Sequence, residues 1–219
     1  MSTTDAAKRL LVFAKAPQPG KVKTRLIPLL GAEGAAALHA RLVKHTLAVA
    51  NAALRGAVEL HGAPADDDFL RYCSAHYGAT LVEQSGANVG ERMHSAFASA
   101  LAGGSRGAVL VGSDSAALTA RHLKLALRAL DAHDAVFAPA EDGGYVLIGL
   151  ARLDARLFDD VAWGTEKVMD ETRARLRHLG WHWHELETLW DIDRPADYAR
   201  LIASGLLERA AGAGPVGRI

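Results

Sequence analysis

Cysteine is nearly absent from this chain: Cys73 stands alone among 219 residues. No intrachain disulfide can form and no cysteine-based zinc cluster can be built, so a reducing cytoplasm is the expected setting. An excess of one charge is missing too, with Lys plus Arg and Asp plus Glu at 25 each. Domains that bind nucleic acid usually carry a basic excess, so nucleic acid is not an expected partner. Long hydrophobic runs are also lacking. The apolar stretch at residues 10–14 is too short for a signal-peptide core. No segment reads as a membrane span, and no membrane partner is expected.

What the chain does have is material for a core. Half of its residues are hydrophobic, and the length suffices for one large or two small domains. No repeat or linker divides it, so a single domain over residues 1–208 is expected. The glycine-rich end at 209–219 reads as a flexible tail.

Short apolar runs alternate with segments of helical period. "RLLVFAK" reads as a strand and residues 32–54 as a long helix, with Leu38/Leu42, Val43/Leu47 and Ala50/Leu54 at spacing four. "GAVELHG" and "ATLVEQ" read as strands flanking a helix in "DDDFLRYCSAHYG", which has acidic residues in its first turn and Gly78 after its end. A helix over about 89–101 precedes "GAVLVGSD", a run apolar enough to be buried on both faces of a parallel sheet. A helix at 119–130 leads to "AVFAPAEDGGYVLIGL", two strands about a turn at Gly143 and Gly144. A charged helix at 165–179, with Thr165 as its N-cap, a short strand in "WHWHEL" and a last helix opened by Pro195 complete the pattern. Such alternation predicts an α/β fold, an αβα sandwich around a mixed, mainly parallel sheet.

In open α/β sheets ligands bind beyond the carboxyl ends of the strands. The first strand ends at Lys15 and opens into "APQPGKVKTRL", where Lys21, Lys23 and Arg25 follow among Pro17, Pro19 and Gly20. Other strand ends deliver Ser113-Asp114, then Glu141-Asp142-Gly143-Gly144, and "DID" with Asp191 and Asp193. Each piece has an ordinary structural reading: a helix cap for Asp114 or the late aspartates, a hairpin turn for "EDGG", a solvated surface for the cations. Together they read as cations and carboxylates meeting on one edge, which a divalent metal bridging to a polyphosphate explains. Magnesium is commonly held by one or two carboxylates plus substrate phosphates. Asp114 is then one ligand and Asp193 or Asp191 the other, while Lys15, Lys23 and Arg25 take the phosphate charge. His182 and His184 share a strand face but lack a third ligand of matching type, and zinc is disfavoured there. Trp181 and Trp183 read as packing, and Cys73 as an inert helix residue.

The segments "FAKAPQPGKVKTRL", "NVGERM", "GSDS", "PAEDGGYVLIGL", "WGTEKV" and "DIDRPADYARL", in this order, resemble the bacterial DUF2064 family. The resemblance spans about residues 10–202. It implies a GT-A-like (nucleotide-diphospho-sugar transferase) fold that binds a nucleotide and Mg2+ or Mn2+ at the carboxyl edge of its sheet. The superfamily's metal aspartate falls on Asp114, and a second ligand before the last helix falls on Asp193, with Asp191 the alternative. The first loop also resembles that of 2-phospholactate guanylyltransferases, and the position of "NVGERM" implies nucleotide contacts from Asn88 and Arg92. Pro17, Gly20, Ser113, Glu141, Asp142, Gly143, Gly144 and Thr165 complete the candidate substrate contacts.

The chain departs from the family pattern at three places. Ala116-Ala117 stands where Pro-Asp is usual, Gly164 where serine is usual, and Arg194 where a capping threonine is usual. The last departure leaves Asp193 as the expected helix cap, in competition with metal binding. Three readings follow: nucleotidyl transfer from an NTP to a small phosphorylated or phosphonylated acceptor, glycosyl transfer from an NDP-sugar with Glu141 or Asp142 as base, and a non-catalytic nucleotide-binding module. The charge of the first loop favours a triphosphate and hence the first. A monomer or a homodimer is expected.

Overall fold

The computed structural model describes residues 8–207; the expected tail at 209–219 lies outside them. Among the described residues there are seven strands: β1 Arg9–Lys15, β2 Val58–Ala63, β3 Thr80–Glu83, β4 Ala108–Val111, β5 Ala135–Pro139, β6 Tyr145–Leu150 and β7 Trp183–Glu185. The α-helices of the described residues are α1 Ile27–Ala53, α2 Asp68–Tyr77, α3 Val89–Ala102, α4 Ala120–Ala129, α5 Val168–Leu179 and, after the last strand, α6 Pro195–Ser204. The strands form one sheet in the order β3-β2-β1-β4-β6-β5-β7. Pairing is parallel from β3 through β4 and between β5 and β7, and antiparallel on both sides of β6. The mixed, mainly parallel sheet and the α/β class follow the sequence reading.

Alternation along the strands divides the core into two faces. Leu10, Val12, Val109 and Val111 pack with Val43, Leu47, Leu123 and Leu127 from α1 and α4. Leu11, Leu110, Phe137 and Ile148 pack with Met93, Phe97 and Leu176 from α3 and α5. Phe97 and Phe137 are fully buried, and each side chain of this size contributes about 1.5–3 kcal/mol through apolar burial. Cys73 lies on the α1/α4 face with no exposure, and burial pushes its thiol up to about 11.

Helix ends follow local chemistry. Asp67 caps α2 by accepting from the Phe69 and Leu70 amides at 3.0 and 3.4 Å, and Gly78 ends that helix in the left-handed conformation. The segment at 24–53 corrects one expectation, because by length and mean hydropathy (1.3) it is apolar enough to cross a membrane. In the fold α1 is kinked at Gly31, and its Leu38, Leu42, Val43 and Leu47 are buried against the core. It is a core helix whose many alanines raise its hydropathy. The expected start of α5 is corrected as well. Thr165 lies three residues ahead of the helix, where its hydroxyl donates to the Ala162 carbonyl and accepts from the Lys167 amide at 3.3 Å.

Candidate active site

A cleft of about 750 Å³ opens beyond the carboxyl ends of β1 and β4 and the start of β6. Its charged end is built from the loop after β1. The Ala16 amide, bonded to the Ala63 carbonyl at 3.1 Å, continues the β1–β2 ladder, and the Lys21 amide closes a turn on Gln18 O at 3.0 Å. Lys23 then adopts φ 47, ψ 41, left-handed geometry that a lysine rarely accepts and that strained functional sites often contain. Lys15, Lys21, Lys23 and Arg25 all line the cleft. Lys15 and Lys21 have no ion-pair partner among the described residues.

The acidic side comes from two segments far apart in sequence. Asp114 follows β4, and its carbonyl accepts from the Ile192 amide at 2.9 Å. Ser115 Oγ donates to the Trp190 carbonyl at 2.7 Å, so "DID" is fastened to the end of β4 at two points. This brings Asp193 beside Asp114. Lys23 Nζ sits between them, 2.5 Å from Asp114 Oδ1 and 2.9 Å from Asp193 Oδ1, with only 4 % of its side chain exposed. Arg25 Nη1 stands 3.6 Å from the other Asp193 oxygen. Burial opposes the Lys23 charge, but the two carboxylates outweigh it and hold its pKa above the ordinary lysine value. Burial likewise opposes the Asp114 charge, and Lys23 outweighs it and holds that carboxyl below the usual range.

Asp193 does not cap α6, contrary to expectation. Arg194 is the cap residue, and Asp197 reaches back to accept from the Asp193 and Arg194 amides at 3.1 and 2.7 Å. The Asp193 carboxylate is thereby released to face Lys23. Asp191 does not line the cleft. Burial pushes its carboxyl up to about 7, with Asp114 and Asp142 adding like-charge repulsion.

Of the other expected contacts, Asn88, Arg92, Ser113, Asp142, Gly144 and Thr165 line the cleft. The Asn88 side chain is committed to capping α3, accepting from the Glu91 amide at 3.0 Å and donating to Glu91 Oε1 at 2.7 Å. Arg92 Nε donates to the Gly86 carbonyl at 2.9 Å. Pro17, Gly20, Glu141 and Gly143 do not line the cleft. Glu141 instead makes a two-point pair with Arg200 at 2.7 and 3.1 Å, and that guanidinium lies over Trp190 at 4.2 Å. This engagement explains why Glu141 is not positioned as a base. Gly143, at φ 90, is a packing position: its carbonyl accepts from the Met169 amide at 2.8 Å, and its α-carbon faces the Glu166 backbone.

Sequence reasoning missed two polar residues of the cleft and the use made of one tryptophan. His39 on α1 is buried and donates from Nε2 to the Lys15 carbonyl at 3.0 Å, fixing the end of β1. Burial pushes its pKa down and favours the neutral ring. Gln84 donates to the His61 carbonyl at 2.8 Å and so ties the end of β3 to β2. Trp163 packs against Gly90, where a β-carbon would lie 2.6 Å from the indole nitrogen, and meets Tyr145 edge-on. The helical spacing that marks His39 as buried is legible, but its bond to Lys15 is not. Trp181 is buried and Trp183 half-buried. His182 and His184 are exposed.

The donor chemistry suits a hard divalent cation. Among the described residues no three His, Cys, Asp or Glu side chains gather into a full cage. Two converging carboxylates beside unpaired lysines nevertheless match the way magnesium is shared between protein and phosphate oxygens. Asp114 and Asp193 already converge on a single positive charge, so the pair fits such an ion.

A family model described as "Uncharacterized protein conserved in bacteria (DUF2064)" matches residues 46–165. The chain belongs to this family. None of the curated proteins matches it. This DUF2064 chain is similar to a crystal structure from Desulfovibrio desulfuricans G20 of a candidate nucleotide-diphospho-sugar transferase, with 29% identity, a TM-score of 0.79, and 93% of this chain and 97% of that one covered. It shares its fold with CMP:2-keto-3-deoxy-manno-octonic acid synthetase complexed with CTP, at 9% identity and TM-score 0.57, covering 92% of this chain and 99% of that one. It also shares the fold of glucosyl-3-phosphoglycerate synthase from Mycobacterium tuberculosis in complex with Mn2+, UDP and glucosyl-3-phosphoglycerate, at 10% identity and TM-score 0.53, covering 97% of this chain and 82% of that one. The DUF2064 fold is therefore GT-A-like, as the sequence motifs imply.

Proposed function

We propose that this DUF2064 protein is a cytoplasmic, divalent-metal-dependent transferase with a nucleotide donor, acting by nucleotidyl transfer from an NTP to a small phosphorylated or phosphonylated acceptor. The observation that carries this reading is the convergence of Asp114 and Asp193 on one cation in a cleft that also holds Lys15, Lys21 and Arg25. Asp114 and Asp193 would hold Mg2+ or Mn2+, which when bound neutralises phosphate charge and polarises the phosphoryl group.

The residues of the chain supply the rest. Lys15, Lys21 and Arg25 bind the triphosphate and stabilise the negative charge that moves onto departing pyrophosphate. His39 keeps the Lys15 backbone in place through its bond to the carbonyl. The acceptor's own phosphate or phosphonate oxygen is the nucleophile and is already ionised at neutral pH, so nucleotidyl transfer needs no protein base. Trp163 and Tyr145, which also line the cleft, give it an apolar side.

Glycosyl transfer from an NDP-sugar is the second reading. It is favoured by the 29% identity to the Desulfovibrio protein, with Asp142 rather than Glu141 in reach as base. Thermal-shift screening of all NTPs and common NDP-sugars, with and without Mg2+, separates the two, since a ligand that binds only the native state raises its Tm. An NTP preference with Mg2+-dependent pyrophosphate release supports nucleotidyl transfer, and an NDP-sugar preference replaces it with the second reading. Asp114→Ala is expected to abolish the Mg2+ dependence of the shift; its persistence would remove Asp114 from the metal site.

A further inference from the structure

Lys23 differs from the other cations of the cleft. All four line it, but Arg25 reaches only Asp193, at 3.6 Å, whereas the Lys23 ammonium lies between Asp114 and Asp193, within 3 Å of an oxygen from each. The side chain is almost fully buried there, and its own backbone is left-handed at φ 47. Burying an ammonium is unfavourable unless it is paired, and two carboxylates facing each other repel unless a cation lies between them. Each side thus answers the other's charge. A divalent ion held by Asp114 and Asp193 would compete for the two carboxylates that Lys23 now engages.

We propose that Lys23 is a built-in occupant of the cation site, which a divalent metal displaces and which then turns to the nucleotide phosphates. The inference rests on the metal reading given above and adds an order to it. Metal alone competes with an internal ammonium and binds weakly. Phosphate gives the displaced ammonium a new partner and so strengthens metal binding, and by linkage metal strengthens phosphate binding to the same degree. The site then charges itself only when both ligands are present. The left-handed backbone places Lys23 at the junction of the first loop and the 3-10 turn Thr24–Leu26, beside Arg25 and near Lys21, on the wall that the phosphates would occupy.

The test is Mn2+ binding, followed by the loss of the free-ion EPR signal, for wild type, Lys23→Met and Lys23→Arg. Removing the ammonium is expected to tighten Mn2+ alone at least tenfold in Lys23→Met, while Lys23→Arg, which keeps a cation, binds weakly like wild type. Sulfate, a tetrahedral dianion that chelates Mn2+ poorly, is added at constant ionic strength; it should tighten Mn2+ several-fold in wild type and clearly less in Lys23→Met. If Lys23→Met is unfolded in EDTA, refolding on addition of Mn2+ but not of K+ reads out the same competition, and Lys23→Gln repeats the titration on a polar side chain. Equal or weaker Mn2+ binding by a folded Lys23→Met overturns the proposal and leaves the metal site standing. No Mn2+ binding by any variant overturns the metal reading itself.

Discussion

Gly143, in the turn between β5 and β6, and Gly164, directly after Trp163, make a matched pair of glycines. Both have positive φ, 90° and 78°, so alanine at either position meets a similar backbone penalty, about 1–2 kcal/mol for a left-handed alanine. Their surroundings differ completely. At Gly164 nothing lies within 4 Å of the added β-carbon. At Gly143 that carbon overlaps the Glu166 carbonyl oxygen and lies 2.6 Å from both the carbonyl and the α-carbon of Glu166. Backbone must therefore move, and the Met169–Gly143 hydrogen bond at 2.8 Å is lost with the start of α5. A broken buried hydrogen bond with its partner unsatisfied adds about 1–3 kcal/mol. One kcal/mol shifts Tm by about 2–4 °C at this chain length. Gly164→Ala should thus lower Tm by roughly 2–8 °C and Gly143→Ala by about twice that, measured by differential scanning calorimetry. Gly143→Ala should also weaken nucleotide binding, because the displaced segment carries Trp163 and Thr165 into the cleft. Equal Tm losses in the two variants would show that φ alone sets the cost and would refute the packing argument.

Two further predictions concern ionisation. Asp191 has its folded pKa raised to about 7 from an ordinary carboxylate value, so the folded state binds more protons than the unfolded state between about pH 4 and 7. Stability from this group is full below about pH 4 and falls as pH rises to 7; Asp191→Asn should therefore raise Tm at pH 8 in EDTA and leave it unchanged at pH 3.5, and an equal effect at both pH values would refute the buried-proton reading. Cys73, unexposed and with its thiol pushed up to about 11, should resist a disulfide-exchange reagent at pH 8 until the protein is denatured; rapid modification of the native protein would contradict its place in the core.

The sequence by itself determined the layered α/β fold and the edge where the site lies. Periodicity marks α1 and α4 as helices, the unbroken run around Val109 marks a strand buried on both faces, and polar residues collect where those strands end. These are local signals, fixed by φ/ψ preference and side-chain alternation. Tertiary structure decided which of the collected residues meet. Asp193 joins Asp114 only because Ser115 and the Asp114 carbonyl fasten the segment at 190–192 to β4, a contact across more than seventy residues that no spacing records. Glu141 and Asp142 are neighbours in the same turn, yet one pairs with Arg200 and the other faces the cleft. Asp193 and Asp197 both offer a carboxylate to the start of α6, and the choice of Asp197 as the reciprocal cap is what leaves Asp193 for the cation. Composition and order give the inventory of charges; only the packing of distant segments sets the distances at which those charges compete, and at 3 Å in a half-buried cleft those distances govern the chemistry.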